Sequence, residues 1–259
     1  MREFLEDAFA HSNDGYGRAQ KHLQRDLPKR FHQQTGVAEL EDGFAVTLDG
    51  RPTRTPGKLP VRVPVRGIAE IMAGEWEAQE KHIDPDIMPH VRLINAAVEG
   101  TEDVLPDLKA EILKYAAGDM LYYRADTPRE LIAEQKKYWD AALQALSAQF
   151  DVVFKTTTGI QHQEQPARTL VALEKSLETV GFFGATAMAS ITSLTGSGLL
   201  AIALRYELLT PEAVWTAGHV DENYNVRLWG QDHEADHRRQ KRHAEFDAAV
   251  AVLELIGNF

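Results

Sequence analysis

Hydrophobic and polar residues alternate along the first part of the chain, before the spacing becomes helical. Between Arg30 and Val65, short apolar runs are separated by the pairs Asp42-Gly43, Asp49-Gly50 and Pro56-Gly57. Glycine adopts positive φ without a steric penalty, so Asp-Gly pairs between β-type runs indicate hairpin turns. The pattern predicts an antiparallel meander with strands near residues 37–41, 44–48, 51–54 and 60–63.

Helical periodicity dominates from Arg66 onward. Apolar residues recur three or four positions apart, which is the spacing of one face of an α-helix. Two β-type runs, at 119–125 and 152–157, interrupt the helices. We predict helices at about 66–82, 88–98, 101–117, 128–149, 167–180, 182–208 and 211–256.

One segment, residues 180–204, carries no charge over 25 residues, which is long enough to span a bilayer. Gly, Ser and Thr interrupt it, and Pro211 follows closely. We therefore expect a buried central helix, or two helices meeting near Gly196, rather than a membrane span. No phosphate-loop pattern accompanies the glycines here, so they indicate close helix packing; they are Gly181, Gly184, Gly196 and Gly198.

The change from alternating to helical spacing predicts an α+β protein. Its first domain is β-rich and antiparallel with some helices, and a mostly helical domain follows. We place a polar N-terminal arm at residues 1–28, the α+β domain at 29–125 and the helical domain at 126–259. We find no internal repeat.

The charge of the chain narrows the class of partner. The formal net charge is -11, which disfavours binding to nucleic acid or to an anionic lipid surface. It suits a protein partner with a basic or polar face. The absence of cysteine excludes disulfides and thiolate metal sites. The N-terminus indicates neither a secretory signal nor an Arg-rich transit peptide.

Two overlapping patterns near the C-terminus raise the possibility of a metal site. His233-Glu234-x-x-His237 has the spacing of a zinc-hydrolase helix, in which two His bind zinc and Glu activates water. Four basic residues follow at once, so a solvated helix is the simpler interpretation. Residues 221–232 resemble a calcium loop, but Val226 stands where the sharp turn needs Gly, and the apolar spacing favours a helix.

The run "EWEAQEKHIDPDIMP" (75–89) collects six acidic or His side chains. Paired carboxylates could perform acid–base chemistry. A solvated helix end followed by a turn is the simpler interpretation, because two prolines interrupt the run. Trp76 is expected to pack inward.

Several stretches, taken together and in this order, are similar to one family. They are "RFHQQTGV" (30–37), "LDGRPTRTP" (48–56), "EWEAQEKHIDPDIMPHVRLINAAVEG" (75–100), "DMLYYRA" (119–125) and "VDENYNVRLWGQDHEAD" (220–236). They resemble the assembly chaperone for the α subunit of the F1 sector of ATP synthase. The resemblance covers roughly residues 29–255.

The resemblance implies a protein that binds the free α subunit before the α₃β₃ ring closes and that is released as assembly proceeds. It implies no enzymatic activity, no cofactor and no metal. The free chaperone is expected to be monomeric, without stable membrane insertion. Relatives in eukaryotes act in the mitochondrial matrix. Because this chain shows no transit peptide, the resemblance implies a bacterial cytoplasmic member.

The segment from Asp221 to Asp236 then gains an interpretation as a protein-binding patch. Aromatic anchors surrounded by charged residues are typical of such patches. The candidate partner-binding residues are Asp221, Glu222, Tyr224, Trp229, Asp232 and Glu234. Alternatives for single residues are that Trp229 lies in the core and that Asp232 braces a helix. Alternatives for the whole chain are a zinc-dependent hydrolase and a permanent subunit of a complex. A break at Gly230 would expose its neighbours.

Overall fold

A small antiparallel sheet opens the part of the chain that a computed structural model describes, residues 27–230 and 233–257. Strand β1 (Thr35–Leu40) pairs with β2 (Gly43–Leu48), which pairs with β3 (Arg51–Pro52). The Asp49-Gly50 turn has positive φ at both residues, 49° and 77°, as a two-residue hairpin turn requires. These hairpins confirm the predicted meander, although the run at 60–63 contributes only isolated bridges.

Ten α-helices follow in the described residues. They are α1 (Arg66–Glu77), α2 (Pro89–Gly100), α3 (Leu105–Ala117), α4 (Arg129–Phe150), α5 (Ala167–Ser176), α6 (Phe182–Thr195), α7 (Gly198–Arg205), α8 (Pro211–Gly218), α9 (Val220–Trp229) and α10 (His233–Ile256). Short 3₁₀ turns precede α2 and α3 and follow α3. The α+β class predicted from the sequence is confirmed.

Several predicted boundaries are wrong in an informative way. The helix expected over 211–256 is three helices, separated at His219 and after Trp229. The strand expected at 152–157 is only β5 (Thr157–Thr158), which pairs in parallel with β4 (Tyr123–Arg124). The helix expected from Thr101 starts at Leu105, after a 3₁₀ turn. Pro128 is the residue before the first turn of α4, rather than part of it.

The uncharged segment lies in the interior as two helices, α6 and α7, which confirms the second form of the prediction. Gly196 ends α6 with a φ of 73°. A Cβ on Gly198 would lie 2.3 Å from the carbonyl oxygen of Ile112, so only glycine allows α7 to start this close to α3. Within the described residues, no helix is both long and apolar enough to cross a membrane.

One hydrophobic cluster connects the two halves of the chain. It includes Met72 and Ile94 from the first half and Met188 and Phe246 from the second. Helix α6 packs against α3 and α10, and α10 also packs against α2. This core contains residues from both sides of position 125/126. The domain boundary placed there remains a prediction.

The run at 75–89 forms a rigid corner between α1 and α2. The carboxylate of Glu75 accepts hydrogen bonds from the backbone N–H groups of His90 and Val91, at 2.9 and 2.8 Å, and so caps α2. The buried amide of Gln79 bonds to the Glu75 carbonyl and to the Asp84 N–H. In the stretch "EWEAQ…IDPDIMP", Glu75 and Gln79 therefore serve to form hydrogen bonds with backbone groups of the corner.

Candidate protein-binding site

Helix α9 is fixed to α4 by two polar contacts. The Asp221 carboxylate accepts a hydrogen bond from the Gln135 side chain at 2.9 Å, and Gln135 in turn accepts from the backbone N–H of Ala125 at 2.8 Å. Arg227 forms an ion pair with Glu134. Asp221 therefore positions α9 as well as contributing charge.

Glu222 connects α9 to α10. Its carboxylate lies 4.0 Å from a guanidinium nitrogen of Arg239 and 3.9 Å from one of Arg242. Arg239 also donates to Asn223 on α9. The Glu222 side chain is 41% exposed, so a partner can reach its carboxylate even though two cations already offset its charge.

The junction before α9 contains a buried histidine, His219. Its Nδ1 lies 2.8 Å from the carbonyl oxygen of Trp215, so the proton belongs on Nδ1 and Nε2 is free to accept. Arg242 lies 3.2 Å from Nε2 and also donates to the Leu194 carbonyl. Burial lowers the pKa of His219. The neutral ring therefore holds the Arg242 side chain, which faces Glu222.

The end of α9 presents two apolar side chains to solvent. Trp229 is 85% exposed and Leu228 is 56% exposed. Gly230 ends the helix with φ 81° and ψ 175°, a conformation accessible essentially to glycine alone. The predicted break at Gly230 is confirmed, and the alternative that Trp229 lies in the core is wrong.

The remaining candidate residues have different surroundings. Tyr224 is half-buried, with the Arg227 guanidinium 5.7 Å from its ring centroid. Glu234 is exposed and forms an ion pair with Arg238 at 2.6 Å. Asp232 lies outside the described residues. The carboxylates thus belong to two helices on either side of a glycine break.

The two metal patterns fall on helices. Residues Val220–Trp229 are helical, as the apolar spacing predicts, and therefore do not form a calcium loop. In the zinc pattern, Glu234 points its carboxylate at Arg238, and the side chain of His233 is not among those described. No group of three or more His, Cys, Asp or Glu suited to a metal occurs among the described side chains.

Sequence reasoning missed a second exposed apolar region, around Phe31 and Trp76. Phe31 is 68% exposed, and its ring meets the Trp76 ring edge-on at 6.3 Å between centroids. Trp76 packs only partly inward. The signal available in the sequence was the aromatic residue in "RFHQQ", which precedes the first strand in an otherwise polar stretch.

An exposed indole and leucine on a helix that also carries an accessible carboxylate can bind a protein surface that has an apolar centre and basic residues around it. Such a surface acts by burial and charge complementarity. It requires no covalent chemistry.

Comparison with known proteins places the chain in a family. The family model described as ATP12 chaperone protein matches residues 29–147. The crystal structure of the Atu1473 protein from Agrobacterium tumefaciens matches with 37% identity and a TM-score of 0.84, over 92% of this chain and 90% of that chain.

Two structures of Atp12 from Paracoccus denitrificans also match. The first has 30% identity and a TM-score of 0.79, over 87% of this chain and 97% of that chain. The second, in which one aspartate is replaced by lysine, has the same identity and TM-score over 88% and 98%. The chain belongs to the ATP12 chaperone family.

Proposed function

We propose that this protein is an assembly chaperone that binds the unassembled α subunit of the F1 sector of ATP synthase. The observation that carries the proposal is the exposed Trp229–Leu228 pair at the end of the helix that also carries Glu222, in a chain of the ATP12 chaperone family. The identity of the client as the α subunit rests on the family resemblance. The same proposal places the protein in the bacterial cytoplasm.

Binding alone is sufficient for this function. A ring subunit that has not met its neighbours exposes apolar interface, and such surface aggregates. A chaperone that covers the interface lowers the concentration of aggregating species by mass action. Release accompanies assembly of the ring. The proposal includes no catalytic step, no cofactor and no metal.

Trp229 is the energetic centre of the proposed contact. Burying a large apolar side chain contributes about 1.5–3 kcal/mol, and Trp is enriched among residues that dominate binding energy. The carboxylates contribute differently. Because Glu222 and Glu234 already have intramolecular partners, they add mainly orientation and association rate.

The test is suppression of aggregation and co-elution with purified free α subunit. The wild-type chain is expected to keep the α subunit soluble and to co-elute with it. Glu222→Gln/Asp232→Asn should bind several-fold more weakly at low salt, and the difference should shrink as salt screens the charges.

The matched control neutralises two exposed acids on the β1–β2 hairpin, Glu39→Gln/Glu41→Gln. It changes the net charge by the same amount and should bind like wild type. Equal weakening in both double variants would show that only net charge matters. Failure of the wild-type chain to bind the α subunit would refute the proposed client.

A further inference from the structure

An apolar groove runs along α2, between α1 and the hairpin at residues 51–60. Its cavity volume is about 590 Å³. Phe31 and Trp76 form one wall, and Ile83, Met88 and Val91 contribute to the floor. Along α2, the lining side chains extend from Met88, the residue before the helix, to Glu99. At 1.5 Å per residue, this part of the groove is roughly 16 Å long.

The walls of the groove are held in place by internal contacts. The hairpin at residues 51–60 forms the second wall, and the backbone N–H of Gly57 donates to the Glu99 carboxylate of α2 at 2.6 Å. On the aromatic wall, the His32 ring meets the Trp76 ring edge-on, and its Nε2 lies 3.2 Å from the Trp76 carbonyl oxygen. A groove whose walls are fixed requires little ordering on binding.

The hairpin wall is basic, in a chain with a net charge of -11. Residues 51–66 contain five Arg or Lys and no Asp or Glu. Two of these cations form ion pairs, Arg62 with Asp42 and Arg66 with Glu70. The other three, Arg51, Arg54 and Lys58, have no carboxylate partner within the described part of the chain.

Arg54 lines the groove itself, and its guanidinium donates to the Lys58 carbonyl at 2.8 Å. That bond satisfies one donor and leaves the positive charge without a counterion. An occupant that combines apolar side chains with an adjacent carboxylate would bury apolar surface against the floor and pair its negative charge with Arg54.

We propose that the groove binds an extended segment of the client polypeptide, with apolar side chains next to Asp or Glu. A length of roughly 16 Å accommodates about five residues of extended chain, at about 3.3 Å each. This inference rests on the proposed function for the identity of the client. It adds a second contact surface, which is basic, to the acidic candidate site on α9 and α10.

The experiment uses an array of overlapping 13-residue peptides that cover the α-subunit sequence, followed by fluorescence anisotropy with the peptides that bind. The wild-type chain is expected to prefer peptides with an apolar run beside Asp or Glu. Ala96→Trp places a large ring in the groove from an exposed position and should weaken binding at least tenfold. Arg54→Glu should weaken binding of the acidic peptides by a similar factor.

Arg51→Glu is the matched control. It reverses another exposed cation on the same hairpin, one that does not line the groove, and it should bind peptides within twofold of wild type. Equal binding by Ala96→Trp and wild type would overturn the inference, as would a preference for basic peptides. Because Arg54 is exposed, its variant keeps the test decisive even if Ala96→Trp unfolds.

The outcomes separate this inference from the proposed function. If the α subunit co-elutes with the chain and no peptide binds, the groove inference is wrong and the proposed function stands. If peptides bind with the expected preference and the intact α subunit does not co-elute, the client assignment is wrong and the groove remains a polypeptide-binding site.

Discussion

Asp119 shows at the scale of one residue how the interior holds a carboxyl group. It accepts hydrogen bonds from the Ser197 hydroxyl at 2.8 Å and from the backbone N–H groups of Leu121 and Leu199 at 3.1 and 3.0 Å. It thereby joins the end of α3 to the start of α7. Burial raises the pKa of Asp119 to about 7, against the opposing effect of these hydrogen bonds.

A raised pKa has a definite consequence for stability. Between about pH 4 and pH 7 the folded state keeps a proton that the unfolded state releases, so this group's contribution to stability falls as pH rises. A shift of about three units corresponds to at most about 4 kcal/mol. We expect Asp119→Asn to remove this dependence, as measured by urea unfolding at pH 5, 6, 7 and 8.

The control for Asp119 is Asp107→Asn, an exposed position on α3, which should keep the wild-type profile. A profile that is unchanged in Asp119→Asn would show that the three hydrogen bonds outweigh burial and keep the carboxylate ionised.

At the scale of the element, the α1–α2 corner depends on one side chain. Glu75 satisfies two backbone N–H groups at the start of α2 and the ring of His90 at 2.7 Å. Its side chain is only 11% exposed, so water cannot fully replace it. Glu75→Ala should lower the free energy of unfolding by about 2–3 kcal/mol.

Glu80→Ala is the matched control for this corner. Glu80 is exposed in the same segment, and its replacement should change the free energy of unfolding by less than about 0.5 kcal/mol. Equal effects in denaturant titrations of the two variants would contradict the capping role of Glu75.

The sequence was informative about elements wherever a local rule decided the structure. Hairpins at Asp-Gly pairs and helices with apolar spacing were predictable because turn chemistry and periodicity act over a few residues. The run at 152–157 has β-type residues, yet Val153 is 71% exposed, and only Thr157–Thr158 pair with a strand. Pairing depends on a distant neighbour, Tyr123–Arg124, that composition does not specify.

At the scale of the whole molecule, the two proposed contact surfaces differ in how far the sequence revealed them. Exposure of Trp229 followed from the break at Gly230, which the sequence indicated. The pairing of Glu222 with Arg239 and Arg242 did not, because it requires α10 to fold back beside α9. The groove was also hidden, since its walls lie about 20–70 residues apart along the chain and only tertiary packing joins them.

The most direct test of the account is the Kd of Trp229→Ala for the free α subunit, measured by titration calorimetry beside wild type and Ile160→Ala. Ile160 is 99% exposed in the loop after β5 and serves as the control for loss of a surface apolar side chain. Loss of a central aromatic anchor costs about 2 kcal/mol, which is roughly 30-fold in Kd. The account predicts that weakening for Trp229→Ala and a change within twofold for Ile160→Ala; an unchanged Kd for Trp229→Ala would contradict it.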